Sequence, residues 1–336
     1  FRGYIYKIIK RLNFFLIFLS ILGCTLTENI SDNEYTSNDL NELRWGNDKT
    51  SSVIILAIHG YNDYSKSFEQ PANFFKKFNF LTIAIDLQGF GKNPNSGEWY
   101  PLESHIKDLK NQIIKIKKAY PKQKIYLMGE SMGGAIVISL INSTKNLPID
   151  GCILIAPAIW NFKERNFFKS ITLNFISKVL PNLTLDGKGF VDVQASDNLA
   201  MLKKLSEDPL FIHKPKLKSL NGITILMDQS FVDAKNYLKD PSYNTLILVP
   251  INDQIVPRKP LIEILKKPDI KKNIGQKFDL SVHVNSYHMM LRDLNGDLIS
   301  NEIKEWILDN KNVSFLNSFK NPLETLINEP YYHILD

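Results

Sequence analysis

The sequence predicts an α/β fold with a mostly parallel sheet, and three observations carry that prediction. Short apolar runs recur along the chain without polar alternation, as in strands buried on both faces. Segments with apolar residues at helical spacing separate them. The alternation of the two kinds is regular from about residue 51 to residue 309, with one long interruption.

The expected strands are Val53–Ile58, Phe80–Ile85, Lys124–Met128, Cys152–Ala156, Thr245–Val249 and Leu280–Val284, with a further short one near Leu43–Trp45. Expected helices cover Phe68–Phe78, Leu102–Ala119, Gly133–Ile141, Ile223–Leu238, Pro260–Lys267 and Asp297–Leu308. The interruption lies between Ala156 and Thr245, too long for an ordinary connection. Its stretch from Asn166 to Leu180 carries one apolar stripe, so residues 158–220 read as an inserted helical cap on a core of residues 51–157 and 221–309. Residues 310–336 form a C-terminal extension with no reading of their own.

The first 24 residues run from basic to apolar to small, and the apolar stretch Leu12–Gly23 is shorter than the ~20 residues a bilayer span needs. This is the pattern of a signal peptide over residues 1–23. Ile21-Leu22-Gly23-Cys24 resembles a bacterial lipobox, in which the cysteine receives lipid and becomes the new N-terminus. The expectation is an exported protein of a bacterial cell envelope, lipid-anchored to a membrane at Cys24, with residues 24–50 as a polar tether. An uncleaved anchor with a chance cysteine is the alternative.

Composition narrows the function classes. At 44% hydrophobic and 23% charged residues the chain is globular. Its formal charge of +6 owes four cations to Arg2, Lys7, Lys10 and Arg11, and the remainder of 37 basic against 35 acidic residues has no excess with which to track nucleic acid. Two cysteines exclude a disulfide scaffold or a thiolate metal cluster, and Cys152, inside an apolar run, reads as an inert core thiol. No metal-binding spacing is present: Asp293-Leu-Asn-Gly-Asp297 has its glycine in the wrong place for a calcium loop and reads as a turn. No cofactor is expected.

Gly129-Glu-Ser-Met-Gly133 follows an expected strand and opens an expected helix, the context that gives G-x-S-x-G a meaning. A serine at the apex of so tight a turn has a strained backbone, and only small residues two places to either side avoid collision. A serine hydroxyl is a weak nucleophile at neutral pH, so a histidine must take its proton and an acid must orient that histidine. Asp253 follows the strand Thr245–Val249, and His288 follows the strand Leu280–Val284. Ser131, Asp253 and His288 thus each stand just past the carboxyl end of a strand, where parallel sheets place their sites. His59-Gly60-Tyr61 follows the strand Val53–Ile58, so the N–H groups of Tyr61 and Met132 are the expected oxyanion donors, with His59 bracing the loop. Asp86, Asp228 and His283 are weaker rivals by position, and His105, His213 and His333 read as surface residues.

With His59-Gly60, Asp86-Leu-Gln-Gly-Phe-Gly91, Gly129-Glu-Ser-Met-Gly-Gly134, Asp208-Pro-Leu210, Asp253-Gln-Ile-Val-Pro257 and His288, the chain resembles the monoacylglycerol lipase and lysophospholipase branch of the α/β-hydrolases. Gln88 and Asn93 stand where Arg and Ser are common in that branch. The resemblance implies an α/β-hydrolase fold, a triad of Ser131, Asp253 and His288, and a cap over an acyl-chain tunnel. It implies a serine hydrolase acting on monoacylglycerol or lysophospholipid. Small soluble esters, thioesters or peptides stay open as substrates, as does an inactive lipid-binding scaffold.

Overall fold

The computed structural model describes residues 40–186, 193–308 and 321–330. Residues 1–39 lie outside them, so the expected signal peptide and Cys24 are not among the described residues, nor is His333. Strands β1 (Glu42–Trp45), β2 (Val53–Ile58), β3 (Phe80–Ile85), β4 (Lys124–Glu130), β5 (Gly151–Ile155), β6 (Asn244–Pro250) and β7 (Asp279–His283) form one sheet. Their order across it is β1-β3-β2-β4-β5-β6-β7, with β1 antiparallel to β3 and each other pairing parallel. β1 alternates charged and apolar residues, as suits an edge strand with one wet face. It belongs to the sheet, so the body includes the segment from Leu40 onward and the expected tether does not reach residue 50.

The unbroken apolar runs are explained by burial on both faces. Within β2, Ile54, Leu56 and Ile58 join one core cluster, while Val53, Ile55 and Ala57 join the other. This period of two splits one run between two layers. The first layer is closed by α2 (Leu102–Ala119), α3 (Met132–Ser143), α7 (Leu217–Tyr237), α8 (Lys259–Leu265) and α11 (Pro322–Asn328). The second is closed by α1 (Glu69–Phe75) and α10 (Gly296–Leu308), through Phe75, Ile299, Ile303 and Trp306. Each such side chain contributes roughly 1.5–3 kcal/mol by leaving water.

The cap joins β5 to β6 through α4 (Phe162–Arg165), α5 (Phe167–Val179) and α6 (Leu199–Glu207), with α7 returning the chain to the core; α9 (Pro268–Lys271) lies between α8 and β7. The long return helix begins six residues earlier than expected, at Leu217 rather than Ile223, and the cap is shorter accordingly. The expected helix Phe68–Phe78 is a 3-10 turn, α1 and a second 3-10 turn, ending at Asn79 in the left-handed region. Within the C-terminal extension, α11 buries Leu323 and Leu326, and the Arg258 guanidinium donates to the Glu329 and Pro330 carbonyls.

Candidate active site

Ser131 sits between β4 and α3 with φ +55° and ψ −116°, a conformation that costs a non-glycine residue roughly 1–3 kcal/mol. The turn is tight enough that neighbouring side chains would collide. A Cβ on Gly129 would lie 2.5 Å from the Gly133 carbonyl, and one on Gly133 would lie 2.1 Å from the Ile58 carbonyl oxygen. Backbone bonds hold the strained residue: its N–H donates to the Ile155 carbonyl at 2.9 Å, and its carbonyl accepts from Ala158 at 3.0 Å. Ser131 occupies the N-cap position of α3, yet its hydroxyl does not cap the helix and stays available for chemistry.

The loops after β6 and β7 bring Asp253 and His288 together, both buried. His288 Nδ1–H donates to Asp253 Oδ2 at 2.8 Å. The other carboxylate oxygen accepts the N–H groups of Ile255 at 2.8 Å and Val256 at 2.9 Å, which fixes the acid's orientation. Because Nδ1 carries the bonded proton, Nε2 is left as the basic nitrogen. Burial lowers the His288 pKa, but the Asp253 charge and hydrogen bond together with Glu130 outweigh it, and the net direction is upward.

The loop after β2 packs on the serine. A Cβ on Gly60 would lie 3.2 Å from Ser131 Cβ and 3.8 Å from its Oγ, so the absent side chain lets this loop lie close against Ser131. Met132 is the first residue of α3 and has no intrahelical acceptor for its N–H. His59, buried, accepts the Leu87 N–H on Nε2 at 3.0 Å and donates from Nδ1 to the Gly60 carbonyl at 2.8 Å. It is thus tied on both nitrogens as a brace for this loop, and burial lowers its pKa.

Residues 49–295 match the family model Hydrolase_4, described as serine aminopeptidase, S33. The chain belongs to this family. It is an α/β-hydrolase, with the mostly parallel sheet and flanking helices that the sequence predicted. The chain is 26% identical over 271 residues to the monoglyceride lipase of Rattus norvegicus, covering 78% of this chain and 84% of that one. It is 21% identical over 224 residues to a phospholipase of Bacillus subtilis, covering 65% and 82%. In structure it is similar to a monoacylglycerol lipase of Paleococcus ferrophilus, with a TM-score of 0.64, 22% identity, and 80% and 98% of the two chains covered. A soluble variant of the Saccharomyces cerevisiae monoglyceride lipase, in complex with a substrate analogue, gives a TM-score of 0.65 at 18% identity, covering 80% and 91%.

The rival residues of this hydrolase have structural roles. Asp86 accepts the N–H groups of Ser65 and Lys92, and Asp228 lies within α7, where it accepts the Lys163 N–H. His283 ends β7 and contacts Ser281 Oγ at 3.0 Å and Glu302 at 2.9 Å. His105 corrects the surface assignment: it is fully buried on α2, edge-on to Trp99, and burial pushes its pKa down to about 3. His213 is exposed and donates to the Asp208 carbonyl. Gln88 bonds Asp108, and Asn93 donates to the Asp86 and Leu87 carbonyls, so both departures from the resembling branch serve loop structure.

Sequence reading missed Arg292, Asp63 and the charge of Glu130. Buried Arg292 pairs with Asp63 Oδ2 at 2.8 Å and with Glu130 Oε2 at 3.3 Å. The signal available was position alone, since each is a charged residue within four places of His59, Ser131 or His288. Also unforeseen are the bonds from the cap's descending segment to the histidine loop. Ser196 Oγ donates to Asp293 at 2.6 Å, Met289 N–H to the Ala195 carbonyl at 2.9 Å, and Asn198 Nδ2 to the Arg292 carbonyl at 3.0 Å.

Proposed function

We propose that this serine ester hydrolase cleaves carboxylic esters of lipids, monoacylglycerol or lysophospholipid, through an acyl-enzyme. Ser131 Oγ attacks the ester carbonyl while His288 Nε2 takes its proton, and Asp253 stabilises the imidazolium that results. The N–H groups of Tyr61 and Met132 receive the charge on the carbonyl oxygen, each worth about 3–4 kcal/mol in the transition state. His288 then protonates the departing alcohol, and water reverses the sequence to release the fatty acid. The carrying observation is the buried hydrogen bond from His288 Nδ1 to Asp253, in a chain whose serine stands on a strained turn in the expected place.

Lipid as the substrate class is supported by the cap. Phe167, Phe168, Ile171 and Phe175 of α5 stay at least half exposed, Phe168 at 83%, where a water-soluble substrate would need no such surface. The monoglyceride lipases and the phospholipase among its relatives favour the same class. Residues 1–24, read as a lipoprotein signal, favour an anchored enzyme of the bacterial cell envelope with its substrate in the adjoining membrane.

A series of monoacylglycerols and lysophospholipids of increasing acyl length, set against short soluble esters and an aminopeptidase substrate, tests the proposal. Rates that rise with chain length support it. Rates that decline steadily beyond a short acyl group, or cleavage of the peptide alone, overturn it.

A further inference from the structure

The two ion pairs of Arg292 stand out among the described residues. Like the His288–Asp253 contact, they join side chains that are both less than a tenth exposed. A buried guanidinium is costly to desolvate, and a well-packed apolar residue in its place is often as stable, so stability is a poor account of it. What the pairs do is join segments far apart in sequence. Asp63 lies on the loop after β2, two residues beyond Tyr61, and its N–H donates to the Gly60 carbonyl at 3.3 Å. Glu130 ends β4 and directly precedes Ser131. Arg292 lies four residues beyond His288 and is itself held, its N–H by the Met289 carbonyl at 2.8 Å and its carbonyl by Asn198.

We infer that Arg292 is a positioning residue whose guanidinium clamps the oxyanion loop, through Asp63, and the nucleophile turn, through Glu130, to the histidine loop that carries it. The inference rests on the triad reading above. Planar and forked, a guanidinium holds two carboxylates at a fixed mutual angle, which neither a lysine nor an apolar residue reproduces. Its loss lets three loops drift with respect to one another, and a displacement of about 1 Å at reacting groups costs roughly a hundred-fold in rate. On its outer side the clamp borders a cleft of about 750 Å³, lined also by Asp63, Tyr64, Asn198, Met201 and Asp208. Small cations can therefore reach the position of the guanidinium once the side chain is removed.

The test uses the full chain, p-nitrophenyl butyrate as substrate, and titration of reactive serine to completion with a fluorophosphonate, so that kcat is expressed per competent site. Arg292→Ala is expected to lower kcat per site about a hundred-fold with a much smaller change in KM. Millimolar guanidinium is expected to restore part of that loss, and Arg292→Lys to restore less than guanidinium does. Should Arg292→Ala fail to fold, the near-isosteric Glu130→Gln and Asp63→Asn serve, each expected to lower kcat per site about ten-fold. An unchanged kcat per site in the folded variants, whatever their melting temperatures, overturns the clamp. Absence of Ser131-dependent labelling in the unaltered chain would instead overturn the triad reading, so the two failures are distinguishable.

Discussion

Gly133→Ala perturbs the site without touching any group assigned to the chemistry. The added Cβ would lie 2.1 Å from the Ile58 carbonyl oxygen, 2.7 Å from its carbon and 2.8 Å from the His59 carbonyl oxygen, whereas ordinary contact begins at 3.4 Å. All three are backbone atoms, so no flexible side chain can yield. The end of β2 and the start of α3 must separate by about an ångström, and the loop carrying Tyr61 starts from that end of β2. Overpacking of this size costs about 1–3 kcal/mol, which lowers Tm by roughly 2–5 °C in a domain of this length. Displacing the proposed oxyanion donor Tyr61 from the serine by that distance is expected to lower kcat about a hundred-fold. Gly97→Ala is the control: its φ is +88° but no atom lies within 4 Å, so it carries backbone strain of about 1–2 kcal/mol and leaves kcat as it was. Ester hydrolysis per titrated serine, with melting curves on both variants, measures the contrast. A Gly133→Ala enzyme with full kcat and unchanged Tm would refute the reasoning.

Other predictions concern the histidine and the anchor. Asp253→Asn turns an amide donor toward His288 and favours the wrong tautomer, so steady-state kinetics should show kcat reduced by roughly 10³–10⁴-fold. The proposed base His288 must be neutral to act, and because its pKa is raised above 6.5, the acid limb of kcat/KM should lie above that pH, with activity lost as pH falls through it. The charged groups facing His288 are Asp253, Glu130 and Arg292. Glu130→Gln removes an anion that favours the imidazolium, so a pH–rate profile should show the limb moved to lower pH. Changing Cys24 to Ser is expected to release the protein from the membrane fraction and to change its mass; retention at unchanged mass would reject the lipid anchor.

The sheet was legible because burial on both faces leaves an unbroken apolar run, a pattern set by local sequence alone. β4 extended two residues beyond its apolar run because Gly129 and Glu130 continue the strand up to the strained serine. The start of α7 was hidden by a tertiary contact. A Cβ on Gly222 would lie 2.2 Å from the Trp99 ring, so the glycine makes room for the indole inside a continuous helix. His105 was misread although its spacing from Leu102 and Leu109 already put it on the buried face of α2. Asp253 and His288 were singled out by their places after strands, and the structure puts them in contact. Arg292 was not, because an ion pair linking residues 162 positions apart leaves no local trace.

Ser131 is the group proposed to take up the acyl chain. Treatment with a fluorophosphonate followed by peptide mass spectrometry should place one adduct on the peptide holding Ser131, and Ser131→Ala should abolish both adduct and ester hydrolysis while retaining its fold. An adduct on another residue, or hydrolysis that survives Ser131→Ala, would contradict it.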